Sequence, residues 1–169
     1  STLAKIIMGV IPPTDGSILV DGQNINEKIN SWQKIISYIP QKIFLFESSL
    51  KNNIKLFQDD DDDNKFNEII KKVFLDSNLF FNLSNDIKEN HSKLSGGELK
   101  KIGVARAFYK DHEVLIIDEG TAGLDSAYAK YIISEILKIE KTVVFVSHDL
   151  DLLKNFDVIY KLESKKVVQ

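Results

Sequence analysis

Two short stretches carry the residues best suited to chemistry. The first is Leu94-Ser95-Gly96-Gly97-Glu98, a polar turn that opens onto a helical run. The second is Val114-Leu115-Ile116-Ile117-Asp118-Glu119, four apolar residues that end in two carboxylates. Paired glycines at a helix N-terminus let backbone N–H groups approach an anion, and the helix dipole favours negative charge there. Carboxylates at the end of a buried strand are placed for metal and water chemistry. The combination points to phosphate handling. Two further residues stand at strand ends: Gln41, directly after Pro40, and His148, between Ser147 and Asp149. An isolated glutamine or histidine is usually an ordinary surface residue, so these two gain meaning only from their place in the order.

That order resembles the ATP-binding cassette (ABC) ATPase family. Leu94 to Glu98 is similar to its signature motif and Asp118-Glu119 to the end of its Walker B strand. Tyr38-Ile39-Pro40-Gln41 resembles the Q-loop, Gly123-Leu124-Asp125 the D-loop, and Ser147-His148-Asp149 the switch-histidine loop. Ser1-Thr2-Leu3 resembles the tail of a P-loop whose glycines and lysine would precede Ser1. On that resemblance the chain, residues 1–169, is expected to be a partial nucleotide-binding domain. It would lack the P-loop, the N-terminal strand or strands and an adenine-stacking aromatic, and would bind ATP poorly alone.

The resemblance also implies roles. Phosphoryl transfer to water needs a metal, charge neutralisation and a group that orients or deprotonates the water. Glu119 would be the general base, with His148 and Gln41 beside it in catalysis. Ser1, Gln41 and Asp118 would hold Mg²⁺, because that ion keeps several waters and takes few protein carboxylates. Ser1 and Thr2 would face the phosphates of ATP, a reading that the downstream motifs favour over mere N-terminal capping. Ser95, Gly96 and Gly97 would cap the ATP bound to a second nucleotide-binding domain in a head-to-tail dimer, with Asp125 along the seam. Ser126 is a candidate N-cap for the next helix. Other implied partners are the transmembrane domains of an exporter, at the cytoplasmic face of a membrane. A soluble ABC-type ATPase of DNA repair or translation, or a non-catalytic fragment, is the alternative.

Departures from the family pattern are Glu98 in place of glutamine, Lys100-Lys101 in place of Gln-Arg, and Asp111-His112-Glu113 in a loop that often holds proline. None is expected to touch the phosphate chemistry. Ile87-Lys88-Glu89 loosely resembles the Val-Gly-Glu element ahead of exporter signatures. His91 and His112 read as surface residues.

The elements that must position these residues follow from periodicity. The chain has 169 residues, of which 43% are hydrophobic, enough for one domain with a core. A net charge of −3 argues against gripping a nucleic-acid backbone, and no nucleic-acid partner is expected. The absence of cysteine excludes a disulfide framework and cysteine-ligated zinc. No apolar run approaches the ~20 residues of a membrane-spanning helix.

The spacing predicts a helix from Thr2 to Met8, then a strand from Ser17 to Val20, a turn at Asp21-Gly22 and a strand from Ile35 to Ile39, grouped as an antiparallel subdomain. From Ser48 to Phe81 the apolar residues Ile54, Phe57, Phe66, Ile69, Ile70, Val73 and Phe74 suit short amphipathic helices, giving a helical subdomain over residues 42–97. Asp59 to Asp63, without glycine or spaced ligands, reads as a solvated loop. Phe44, Leu45 and Phe46 are apolar where a polar connection is expected, which suits either a partner groove or core packing. After the signature come a helix with Ile102, Ala105 and Phe108 on one face, and a buried strand from Val114 to Ile117. A helix from Ala127 to Leu137 and a second fully buried strand from Thr142 to Val146 follow. The chain closes with a short helix from Asp149 to Phe156 and edge strands at Val158 to Leu162 and Lys166 to Val168. The fold class expected is α/β, a P-loop NTPase-like, mostly parallel sheet with a helical subdomain.

Overall fold

The computed structural model describes residues 1–58, 62–75, 94–163 and 166–168. Asp59 to Asp61 of the acidic run, Phe81, Ile87-Lys88-Glu89 and His91 lie outside the described residues.

The centre is a parallel three-stranded sheet of order β3(Ile36–Ile39), β4(Val114–Asp118), β5(Thr142–Val146). Its register pairs Tyr38 with Ile116 and Ile117 with Phe145. Side chains alternate across a strand, so the two parities of β4 serve two cores. Leu115 and Ile117, with Ile39, join a core built from α3(Leu50–Lys55), α4(Asp63–Phe74), α5(Gly96–Tyr109), α6(Ser126–Leu137) and α7(Leu150–Leu153). Val114 and Ile116, with Ile36, face α1(Thr2–Ile7) and α2(Ile29–Lys34) through Ala4, Met8 and Trp32. Helices on both faces explain why β4 is apolar without alternation and buried throughout.

Local chemistry sets the ends of these elements. Ser1 caps α1 by accepting from the Ala4 N–H at 3.3 Å, and Gly9, at φ +68°, carries the chain out of the helix ahead of Pro12-Pro13. Trp32 Nε1 donates to Ile7 O at 2.8 Å, satisfying a carbonyl at the end of α1. Asp21 and Gly22 both have positive φ, as a two-residue type I′ hairpin requires, and join β1(Leu19–Val20) to β2(Gln23–Asn24). Two aspartates of the acidic run have structural work. Asp62 caps α4 through the Lys65 N–H, and Asp63 pairs with Lys51 at 2.5 Å, a contact that holds the Asp63 carboxyl below its usual range.

The structure corrects several expectations. The strand ending at Ile39 belongs to the parallel sheet and not to an antiparallel subdomain, because its apolar residues pair with β4. Between it and the β1–β2 hairpin, Ile25–Lys28 forms a 3-10 turn that leads into α2, a helical stretch unmarked by the periodicity. The strand at Thr142 is half-exposed rather than fully buried, since it lies last in the described sheet with no neighbour on its outer side. Of the closing strands only Lys161–Glu163 pairs with Lys166–Val168, and Val158 to Tyr160 precede the ladder as exposed residues. Phe57 is exposed, because Leu56 takes a left-handed conformation and ends α3 before it. His112 is buried and not on the surface: the turn between α5 and β4 folds its ring back so that Nδ1 lies 2.8 Å from Lys110 O.

Asn53 ties the loop after β3 to the helices. Wholly buried on α3, its Oδ1 accepts from Phe46 N at 2.8 Å and Arg106 Nη2 at 2.9 Å, and its Nδ2 donates to the carbonyls of Phe46 and Ser49 at 3.0 and 3.1 Å. Truncation would orphan buried donors and acceptors, each costing about 1–3 kcal/mol. Asn53→Ala is therefore expected to lose roughly 2–3 kcal/mol of unfolding free energy in urea, or roughly 5–10 °C in Tm. An unchanged midpoint would refute this account of the loop.

Candidate functional site

The C-terminal end of β4 gathers side chains from five segments. Asp118 shares the parity of Ile116 and so points to the α1 face of the sheet, where it is buried. Its Oδ2 accepts from the Ser1 amino group and, at 3.2 Å, from the Tyr38 hydroxyl. Tyr38 reaches it because the parallel register sets Tyr38 beside Ile116, one alternation before Asp118. Burial pushes the Tyr38 hydroxyl pKa up, which keeps it a donor toward this carboxylate.

Glu119 leaves the strand with φ +51°, a left-handed backbone that is uncommon for a residue with a side chain. The turn is held by Glu119 N donating to Val146 O at 3.0 Å and by Ala122 N donating to Glu119 O at 3.1 Å. Gly120 completes it, since a Cβ there would lie 2.5 Å from Ile117 Cγ2. The turn aims the Glu119 carboxylate at two loops. Gln41 Nε2 donates to Oε2 at 2.6 Å, and His148 Nε2 lies 3.5 Å from Oε1. The His148 imidazole is 95% exposed, and among the described residues no acceptor fixes its other nitrogen.

The signature turn has a separate geometry. Ser95 caps the 14-residue α5 in a reciprocal capping box: its Oγ accepts from Glu98 N at 3.2 Å while Glu98 Oε2 accepts from Ser95 N at 2.6 Å. Glu98, in place of the family's glutamine, thus closes the cap. A Cβ added to Gly96 would meet nothing within 4 Å, so the helix N-terminus has open space beside it. A Cβ on Gly97 would lie 3.7 Å from Gly123 O, which places the signature against the turn that carries Asp125. Asp125, not Ser126, is the N-cap of α6: its Oδ1 accepts from Tyr128 N at 2.9 Å, and Ser126 is the first residue inside the helix.

Two cations went unremarked as site residues. Lys100 is buried one turn into α5, and its Nζ donates to Gln41 O at 2.6 Å, Glu119 O at 3.1 Å and Pro40 O at 3.3 Å. All three contacts are to backbone carbonyls, which gives Lys100 a supporting place between the Gln41 loop and the Glu119 turn that the sequence pattern does not mark. Burial lowers the Lys100 pKa, with Glu119 opposing the shift. Arg106 donates from Nη1 to Phe44 O and from Nε to Asn53 O, both at 2.7 Å, and burial lowers its pKa to about 10. The available signal was helical spacing: Lys100 lies three and four residues before Gly103 and Val104, on the buried side, where a charge must find partners.

The site therefore unites Ser1 with Asp118, and Gln41 and His148 with Glu119. Thr2 lies exposed in the first turn of α1. Ser95, Gly96, Gly97 and Asp125 form a second group around the start of α5.

Comparison with known proteins gives a consistent result. Residues 1–122 match the ABC transporter family. The chain is 28% identical over 176 residues to the lactococcin transport/processing ATP-binding protein LcnC-like of Lactococcus lactis subsp. lactis (strain IL1403), covering 100% of this chain and 24% of that protein. It is 30% identical over 175 residues to the glutathione/L-cysteine transport system ATP-binding/permease protein CydC of Escherichia coli (strain K12), covering 100% of this chain and 30% of that one. Among solved structures it is similar to a bacterial Atm1-family ABC exporter with ATP bound, with a TM-score of 0.89, 25% identity, and coverage of 99% of this chain and 30% of the other. The chain thus spans about a quarter to a third of the length of these relatives.

The cap at Asp125 can be tested. Asp125→Ala removes the cap and is expected to cost about 1 kcal/mol, whereas Asp125→Asn, also a good N-cap, should cost under about 0.5 kcal/mol. Urea denaturation of the two variants measures this, and equal losses would show that the cap is not what the side chain contributes to stability.

Proposed function

This chain belongs to the ABC transporter family, as an ATP-binding domain similar to those of exporters, and from that premise we propose that it hydrolyses ATP to drive export across a membrane. Family membership implies ATP as the ligand. The observation that carries the reading is the convergence on Glu119: Gln41 on one carboxylate oxygen, His148 near the other, and Asp118 adjacent and buried.

In this reading Glu119 orients the attacking water and takes its proton. Gln41 donates to one Glu119 oxygen and His148 lies near the other, and the carboxylate keeps lone pairs on both with which to hold a water. His148, almost fully exposed and on a loop after β5, is free to turn toward a γ-phosphate. Asp118 offers a hard carboxylate oxygen that fits Mg²⁺, and the Ser1 hydroxyl and Gln41 would complete the set. When bound, that ion supplies charge neutralisation for the transferring phosphoryl group. Ser1 and Thr2 would lie beside the phosphates. Ser95, Gly96 and Gly97, with the open N-terminus of α5, would receive the ATP of a second domain in a head-to-tail dimer whose seam includes Asp125.

Coupling to a membrane partner would run through the loop after Gln41. Phe44 is 78% exposed, and Phe46 stacks edge-on with exposed Phe57 at 5.4 Å, whereas Leu45 packs against the core. The two phenylalanines therefore supply an apolar surface for a segment of a transmembrane domain, with the chain at the cytoplasmic face. No described helix is long and apolar enough to cross a membrane itself.

Glu119→Gln in the full-length protein is expected to keep ATP binding and stabilise the dimer while turnover falls by ~10² or more. Turnover at the unmutated rate would sink the assignment. Replacing Phe44 and Phe46 together by Ser is expected to abolish transport while folding and basal ATPase persist, and loss of folded protein would place the two rings in the core instead.

A further inference from the structure

We propose that Lys100 is a positioning residue that locks the backbone of the Gln41 loop to the turn carrying Glu119. Its ammonium has three N–H donors, and three carbonyls from two separate segments receive them: Pro40 and Gln41 on one side, Glu119 on the other. A buried ammonium is costly unless its donors are matched, and here the matching requires both segments to be present at once. No carboxylate oxygen takes part in this contact. The cation therefore binds the loops by their backbones and leaves the side chains of Gln41 and Glu119 free to meet each other.

The geometry makes this more than packing. Glu119 and Gln41 touch through a single side-chain hydrogen bond of 2.6 Å, and Gln41 is exposed. Without a fixed separation between their backbones, that pair would sample many arrangements, and misplacement by about 1 Å can cost ~10²-fold in rate. The lysine also comes from α5, the helix that begins at the signature glycines. One side chain thus links the signature helix to the two loops at the reacting end of the sheet, so that a displacement of α5 is felt at Gln41 and Glu119 together.

This inference rests on the hydrolytic reading above, and its test separates the two. Lys100→Met keeps the length and removes the donors; Lys100→Gln keeps two donors and removes the charge. In the full-length protein Lys100→Met is expected to lower kcat at least tenfold with KM for ATP changed less than threefold, and Lys100→Gln to recover most of that loss. Amide hydrogen exchange without nucleotide gives a readout independent of hydrolysis: Lys100→Met should speed exchange at residues 41–43 and 120–122 and leave β4 unchanged. A kcat within twofold of the unmutated protein, or a Gln variant as impaired as the Met variant, overturns the proposal. Should Lys100→Met fail to fold, Lys100→Ala, which leaves room for water to reach the carbonyls, decides: faster exchange at residues 41–43 and 120–122 supports the lock and unchanged exchange refutes it. An active Glu119→Gln protein would instead count against the hydrolytic reading, while the exchange result would stand on its own.

Discussion

Every part of the site depends on one constraint, the burial of β4 on both faces. Five residues from Val114 to Asp118 are all buried, and the strand supplies apolar side chains to two separate cores. A strand so enclosed cannot slip, because a shift of one residue would exchange the side chains of the two cores. Its end is therefore a fixed point. From it Asp118 projects to one face, beside Ser1 and Tyr38, and the left-handed turn at Glu119 sends the next carboxylate toward Gln41 and His148. Two adjacent acids thus reach different surroundings through a change of backbone conformation at a single residue.

Helix α5 is the second fixed body. A Cβ at Gly103 would fall 2.4 Å from Ile43 Cδ1, so the helix lies closely against the segment after β3. Along its length it presents the signature cap, then Lys100 to the Glu119 turn, then Arg106 to Phe44 and Asn53. The acidic substitution at Glu98 fits the same scheme, because a carboxylate at the third helical position satisfies the Ser95 N–H and favours the helix dipole. What looks in the sequence like a set of departures from a family pattern is a consistent set of hydrogen-bonding choices around one helix.

Much of this was legible in the residues. The apolar run before Asp118 marked a doubly buried strand, and the order of Gln41, Asp118-Glu119 and His148 marked the segments that converge, with Ser95 to Gly97 in a second group beside the Asp125 turn. What periodicity could not reveal was partner choice. Nothing in Ile35 to Ile39 distinguishes a hairpin strand from one in a parallel sheet, since pairing with β4 is a long-range event. Likewise Thr142 to Val146 has the composition of a central strand while its exposure is that of an edge. Charge and polarity suggest the surface, which hid both the burial of His112, whose ring folds back onto the nearby Lys110 O, and the place of Lys100, whose carbonyl partners only the tertiary fold brings together.

The loop from Pro40 to Phe46 illustrates how the two fixed bodies act together. Its carbonyls at Pro40 and Gln41 are bound by Lys100 and its carbonyl at Phe44 by Arg106, both from α5. Its end at Phe46 is bound by Asn53, which Arg106 also holds. Lys100 and Arg106 thus hold the loop to α5 from Pro40 to Phe44, and Asn53 holds its end at Phe46 to α3. Its side chains are nonetheless exposed, Gln41 beside Glu119 and Phe44 and Phe46 at the other end. The two buried cations of α5 thereby give a contiguous hydrogen-bonded path from the backbone of Glu119 to the backbone beside the phenylalanines.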